Sequence, residues 1–275
     1  MAKALALSLD LNFCTAQKVV VTDSDDPELK RLYDVVLPPP KDYEHFFIKL
    51  CALDHTEFDR ILFIDGDSLA IRPIEPVLEA CRGKDFAVQG TWLSDVQWYG
   101  DMTSVMKRRG LKQVPKFSGG FLYYERTDAA RELIAKIMEL AADYDSIGLE
   151  RNRGHVVDEV CISLAMAETE IGHVFPDSMQ LSRTPYLLKS RVRLDVLHGE
   201  CSFVKGDDPA RSIRPFIYHS AHAAFDLKYW REVRRLMRVS GKRLGRTSGT
   251  GDRLTFARRA KIVLTAMIHR NAGKY

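Results

Sequence analysis

Residues 61–71, ILFIDGDSLAI, decide the reading of this chain. Four apolar residues, Ile61 to Ile64, read as a buried strand, and Asp65 and Asp67 follow where that strand would leave the core. Two carboxylates flanking a glycine can both turn toward one ligand, and Gly66 has no side chain to keep a phosphate or cation from the backbone. That is a grip for a hard metal ion. A polar Asp-Gly turn uses the same three residues, and the tripeptide by itself leaves both readings open.

The surrounding periodicity sets the fold class. AKALALSL is helix-like, KVVVT strand-like, DPELKRLY helical, DVVL strand-like and YEHFFIKLCALDH helical before the ILFID strand. Short strands separated by helices predict an α/β sheet with parallel pairings. Pro38, Pro39 and Pro40 end one unit, because consecutive prolines extend neither a helix nor a central strand. Beyond the motif, RPIEPVLEAC reads as a short helix, FAVQG and FSGGFLYY as strands, and TDAARELIAKIMELAADY as a capped amphipathic helix. VVDEVCISLAMAE reads as a helix, IGHVF and RPFIYH as strands, and DLKYWREVRRLMRV as a helix. A nucleotide-binding α/β unit ordinarily begins with a strand, whereas this chain opens on what would be the following helix. The expectation is therefore a mostly parallel sheet lacking its first strand, with Met1 an internal or misassigned start, or else a different architecture.

Length and composition bound the rest. A chain of 275 residues and 31.3 kDa suffices for a full core, and 45% hydrophobic with 28% charged residues is ordinary for a folded soluble protein. The net charge of +4 is unevenly spread: residues 228–275 hold 14 Lys and Arg against Glu232 and Asp252, leaving the remainder at −8. We expect a catalytic domain over residues 1–240 and a basic tail over 241–275. In the tail, Phe256, Ala260, Val263, Leu264 and Met267 recur at helical spacing among Arg258, Arg259, Lys261 and Arg270. An amphipathic basic helix of this kind suits an anionic membrane surface, and packing on the body is the plainer alternative. The body suggests no nucleic-acid partner. Five widely spaced cysteines without a C-x-x-C pair argue against a disulfide framework or a zinc site. With no signal-peptide core, the location expected is cytoplasmic, peripheral on the membrane if the tail binds there.

Two enzyme classes end a strand in D-x-D. Haloacid-dehalogenase-like phosphatases place Thr or Val at the position held here by Leu69, and their later lysine and acidic pair find only Lys205, Asp207 and Asp208. The chain also resembles nucleotide-sugar glycosyltransferases of the GT-A fold, and among them family 8, the galactosyltransferase and glycogenin-like group. The block FFIKLCALDHTEFDRILFIDGDSLAIRPIEPVL carries most of the resemblance, supported by SLDLN with KVVVT and by KFSGGFLYYER. A sugar-nucleotide-binding protein without turnover is the non-enzymatic alternative.

The resemblance implies transfer of a hexose from a nucleoside diphosphate sugar, UDP-linked, to a glycan, lipid-linked or protein acceptor, with retention. It implies Mn²⁺ or Mg²⁺ on Asp65, Asp67 and His219, with His222 as second choice. Asp65 would also lie near the ribose. A metal there would neutralise charge on the departing diphosphate. Asp158 and Glu159 resemble an Asp-Gln pair near the reacting sugar carbon; acids in the first turn of a helix also serve as plain capping groups. Lys49 resembles a donor-contacting base, and a solvated helix lysine is the bland alternative. Ser118, Gly119 and Gly120 would bring backbone close to the sugar, with Ser118 in place of the usual Asn. Gln89 is a candidate for donor hydroxyls or a simple polar strand end. The family's late H-F-x-G-x-x-K-P-W run is altered here to HSAHAAF, with Lys228 the nearest lysine after it.

Overall fold

The computed structural model describes residues 1–43, 45–185, 191–204, 212–221, 223 and 226–240. The expected tail domain 241–275 with its helix, and His222, Lys205, Asp207 and Asp208, lie outside the described residues.

The chain opens on α1 (Ala2–Leu11), which buries Ala4 through Leu9. Then β1 (Val19–Val21), α2 (Leu29–Leu32) and β2 (Val35–Leu37) form a βαβ unit, with Val20 opposite Val36 in a parallel pair. The segment read as one helix from Tyr43 to His55 divides into a 3₁₀ stretch, His45–Leu50, and α3 (Ala52–His55). The Lys49 carbonyl accepts a hydrogen bond from the Tyr124 hydroxyl at 2.6 Å, an outside partner for a group at that break.

After β3 (Arg60–Ile64) come β4 (Ser68–Ala70), α4 (Glu75–Cys81), β5 (Phe86–Leu93), α5 (Met102–Arg108) and β6 (Val114–Glu125). Thr127 caps α6 (Asp128–Ala142) by accepting the Ala130 N–H, and α7 (Tyr144–Ile147), α8 (Asp158–Thr169) and β7 (His173–Pro176) follow. The central sheet runs β3-β6-β5-β7. It is mixed: β5 and β7 are parallel, but β6 runs against both its neighbours. Both faces are covered, so β6 buries consecutive residues. Leu122 and Tyr124 pack with Leu133, Ile137 and Leu164 of α6 and α8; Phe121 and Tyr123 pack with Leu5, Leu9 and Val77 of α1 and α4.

The rest of the described chain adds β8 (Ser182–Arg183), β9 (Arg193–Asp195), β10 (Glu200–Val204), β11 (Ser212–Ile213), β12 (Ile217–His219) and α9 (Leu227–Val239). The strand β12 sits between β4 and β8, antiparallel to the first and parallel to the second. Asp226 caps α9, accepting from the backbone of Lys228 and Tyr229, while its other oxygen takes the hydroxyls of Tyr218 and Ser220. That buried carboxylate anchors the end of β12 to α9. Among the described residues, no helix is long and apolar enough to cross a membrane.

Candidate metal site

Three segments deliver the acidic pair and its histidine. Where β3 ends, the Asp65 N–H donates to the Gly120 carbonyl at 3.1 Å, and the chain turns through Gly66 into β4, the Ser68 N–H closing the turn on the Asp65 carbonyl. Strand β12 pairs His219 opposite Ser68, and the Ser220 N–H donates to the Asp67 carbonyl at 3.1 Å. The His219 Nε2 consequently lies 3.3 Å from Asp65 Oδ2 and 3.3 Å from Asp67 Oδ1. Thr184 Oγ1 stands 3.1 Å from the other ring nitrogen, Nδ1, and fixes the ring orientation.

The electrostatics follow from this convergence. Burial disfavours a charged His219, yet hydrogen bonds and charge from Asp65 and Asp67 outweigh it and lift the imidazole to about 9. Burial likewise works against ionised Asp65, and the His219 hydrogen bond with the charge of Lys49 holds its carboxyl below the usual range. One ligand atom from each of Asp65, Asp67 and His219 lies within 4.8 Å of the other two. Adjacent ligands of an octahedral ion with bonds of roughly 2.2 Å stand about 3.1 Å apart, so this donor set fits a single divalent cation.

A second cluster lies on the other face of β6. Lys49 Nζ meets Asp158 Oδ2 at 2.8 Å and donates to the Gly119 carbonyl at 2.8 Å, with its side chain and that of Asp158 almost fully buried. Glu159 Oε1 accepts the Gly119 N–H at 2.6 Å. Gly119 is thus held at both ends of its backbone, by the lysine and by the glutamate. Burial pushes the Glu159 carboxyl up to about 7, assisted by Asp158 and opposed by the Gly119 N–H and Lys49. Burial also opposes the charged Lys49 amine, but the charge of Asp158 and Asp65 prevails and raises it.

Both glycines are required by close approach. A Cβ on Gly119 would stand 2.9 Å from Lys49 Nζ and 3.1 Å from Asp158 Oδ2; one on Gly120 would stand 2.4 Å from the His219 ring. Asp158 and Glu159 open α8, whose N-cap Val157 offers no side-chain cap, but their carboxylates serve Lys49 and Gly119 instead.

Ser118 is exposed beside these groups. Gln89 is buried with its amide engaged elsewhere, accepting from Ser182 N at 2.8 Å and donating to the Asp177 carbonyl at 3.4 Å. The Lys228 amine donates to the Val192 carbonyl. Sequence reading passed over Thr184, which sits in an unpatterned loop and carries no local signal. It also passed over the anchoring role of Asp226, whose place before a basic amphipathic run marks it as a cap.

The chain folds as a GT-A glycosyltransferase does. Among solved structures, the galactosyltransferase LgtC in complex with donor and acceptor sugar analogs superposes with a TM-score of 0.52 at 14% identity, over 87% of this chain and 91% of that one. An active-site mutant of LgtC with glutamine replaced by glutamate gives a TM-score of 0.50 at the same identity and coverage. No family model and no curated protein matches the sequence.

Proposed function

We propose that this protein is a metal-dependent glycosyltransferase that moves a hexose from a nucleoside diphosphate sugar, UDP-linked, to a glycan, lipid-linked or protein acceptor. The observation that carries the reading is the convergence of Asp65, Asp67 and His219 on one cation-sized space, with two glycines of β6 opening a close approach beside it. The similarity to a galactosyltransferase structure supports it at the level of the fold. Asp65, Asp67 and His219 would hold Mn²⁺ or Mg²⁺, which supplies a Lewis acid for the departing diphosphate.

In transfer, the bond from the sugar C1 to the diphosphate oxygen breaks and that oxygen keeps the electron pair. An acceptor hydroxyl then bonds to C1 from the face the diphosphate leaves, and its proton passes to the diphosphate, which gives retention. Asp158 and Glu159 would supply the negative charge that stabilises a cationic anomeric centre, with Lys49 holding Asp158 in place. The sugar would meet the edge formed by Ser118, Gly119 and Gly120 at the exposed Ser118, since the space in front of Gly119 and Gly120 is taken by Lys49, Asp158 and the His219 ring. Gln89 serves the site by fastening β5 to the Ser182 segment beside β12.

The test is release of UDP from UDP-hexoses by the purified protein, with and without Mn²⁺. Turnover that needs Mn²⁺ and disappears in a folded Asp67→Ala variant is the expected result. Hydrolysis of p-nitrophenyl phosphate without any nucleotide sugar would sink the proposal in favour of a phosphatase. Donor binding with neither hydrolysis nor transfer would leave a binding protein instead.

A further inference from the structure

One hydroxyl in the core is left without a partner. Tyr229, on the first turn of α9, is fully buried, and its Oη meets no hydrogen-bond partner among the described residues. A buried tyrosine oxygen ordinarily finds one, because nothing else replaces the water it gave up. Phenylalanine would fill the same space without that cost.

The helix that carries this hydroxyl is tied to the acidic pair. The Ser220 N–H donates to the Asp67 carbonyl at 3.1 Å, the Ser220 hydroxyl donates to Asp226 Oδ2 at 2.8 Å, and the Tyr229 N–H donates to Asp226 Oδ1 at 3.0 Å. A continuous path of hydrogen bonds therefore leads from Asp67 to the backbone of Tyr229. The Tyr229 ring belongs to the core that holds Leu69, two residues after Asp67, together with Tyr33, Tyr218 and Ala4. Burial pushes the hydroxyl well up, and among the charges that add to this Asp67 acts most strongly, ahead of Asp226.

Other acceptors close by are already engaged. Asp226 takes the hydroxyls of Tyr218 and Ser220 on one oxygen and the N–H groups of Lys228 and Tyr229 on the other. Those donors fill the lone-pair sites of a carboxylate. The Tyr33 hydroxyl donates to the Ala2 carbonyl at 2.8 Å. Asp67 is in a different position, since the side-chain donor facing it is His219 Nε2, 3.3 Å from Oδ1. That nitrogen cannot both donate to Asp67 and ligate a cation, so loading the site takes the donor away.

We infer that Tyr229 is a positioning residue for Asp67, its hydroxyl donating to the Asp67 carboxylate once His219 and the acidic pair hold a divalent cation. In the metal-free chain the same hydroxyl has nothing to bond. Hydrogen bonds from such outer groups set the orientation of a ligating carboxylate and so the affinity of the site. The inference rests on the reading of Asp65, Asp67 and His219 as a metal site, and it adds a residue that itself touches no ion.

The experiment compares the full chain with its Tyr229→Phe variant, by calorimetric titration with Mn²⁺ and by thermal unfolding with and without Mn²⁺. The variant is expected to bind Mn²⁺ about 10- to 100-fold more weakly. Its melting temperature without metal is expected to equal or exceed that of the unaltered chain, because an unpartnered hydroxyl has been removed. A merely structural role would not separate the two readouts. Mn²⁺ affinity within twofold of the unaltered chain would overturn the inference, and so would a lower melting temperature without metal, which would mean that the hydroxyl is already bonded there. An unaltered chain that binds no Mn²⁺ would overturn the metal reading and this inference together, whereas equal binding by both chains would overturn this inference alone.

Discussion

Replacing Lys49 by methionine tests whether the cluster on β6 is held by a buried charge pair. Methionine fills the same path past Phe63 but leaves Asp158 without its cation, where both side chains are under one-tenth exposed. Breaking a buried pair from one side costs about 3–5 kcal/mol, because the remaining charge stays desolvated. At about 2–4 °C per kcal/mol for a domain of this size, the thermal midpoint of Lys49→Met is expected to fall by about 6–20 °C. Removing both charges, in Lys49→Met with Asp158→Leu, is expected to recover stability to within about 1 kcal/mol of the unaltered chain. The pH dependence has a definite sign. The Lys49 amine lies above its usual 10.5 in the folded chain, so its stabilisation is complete below that pH and fades as pH rises through the higher value. Lys49 itself adds no slope below pH 10.5. Its removal, however, lifts the Glu159 carboxyl further above its present value of about 7, so the gap between Lys49→Met and the unaltered chain is expected to widen as pH rises from 7 to 9. The assay is thermal unfolding followed by circular dichroism, paired with urea titration. A single variant within about 1 kcal/mol of the parent, or a double variant as unstable as the sum of the two singles, would refute the reasoning.

Other outcomes are expected from the same geometry. Glu159 binds its proton more tightly folded than unfolded, so stability falls as pH rises from 4.5 through about 7. Glu159→Gln keeps the acceptor for Gly119 and should raise the thermal midpoint more at pH 8 than at pH 5; an equal shift at both would contradict this. Gly120→Ala puts a methyl 2.4 Å from the His219 ring, and a cost of about 1–3 kcal/mol with loss of the Mn²⁺-induced rise in melting temperature is expected. Calorimetry that finds unchanged Mn²⁺ affinity in that variant would count against His219 as a ligand. Asp226→Ala frees two buried hydroxyls and the cap of α9, for an expected loss of about 2–4 kcal/mol by chemical denaturation.

Much of the α/β layout was readable because local pattern and tertiary role agree. The unbroken apolar run Phe121 to Tyr124 encodes a strand together with its burial on both faces, and Thr127 marks the start of α6. ILFID marks its strand, but Ile61 to Ile64 are only partly buried where the sequence reads as a buried strand. Helix α5 escaped notice because its short run Met102–Arg108 is announced mainly by an Asp101 cap. The strands β8, β9 and β11, two or three residues each, lie below the length at which period-two patterning is visible, whereas β10 does alternate, with Cys201 and Phe203 buried. At the site, the spacing of Asp65 and Asp67 pointed to a shared ligand, whereas their meeting with His219 depends on β12 pairing with β4 across about 150 residues. No local pattern encodes Lys49 turning to Asp158, because the break after the 3₁₀ stretch is set by a tyrosine on another strand.

Consecutive residues of a strand face opposite ways, and β6 uses that fact at Gly119 and Gly120. One glycine admits the lysine and acids; the next admits the histidine. A single inserted or deleted residue between Pro115 and Phe121 would exchange the two faces and drive Phe117 or Phe121 toward one cluster. Loops elsewhere in this chain can vary in length over generations, while this stretch is held to a fixed count of residues, and homologous chains of the same function should show substitutions here but no gaps.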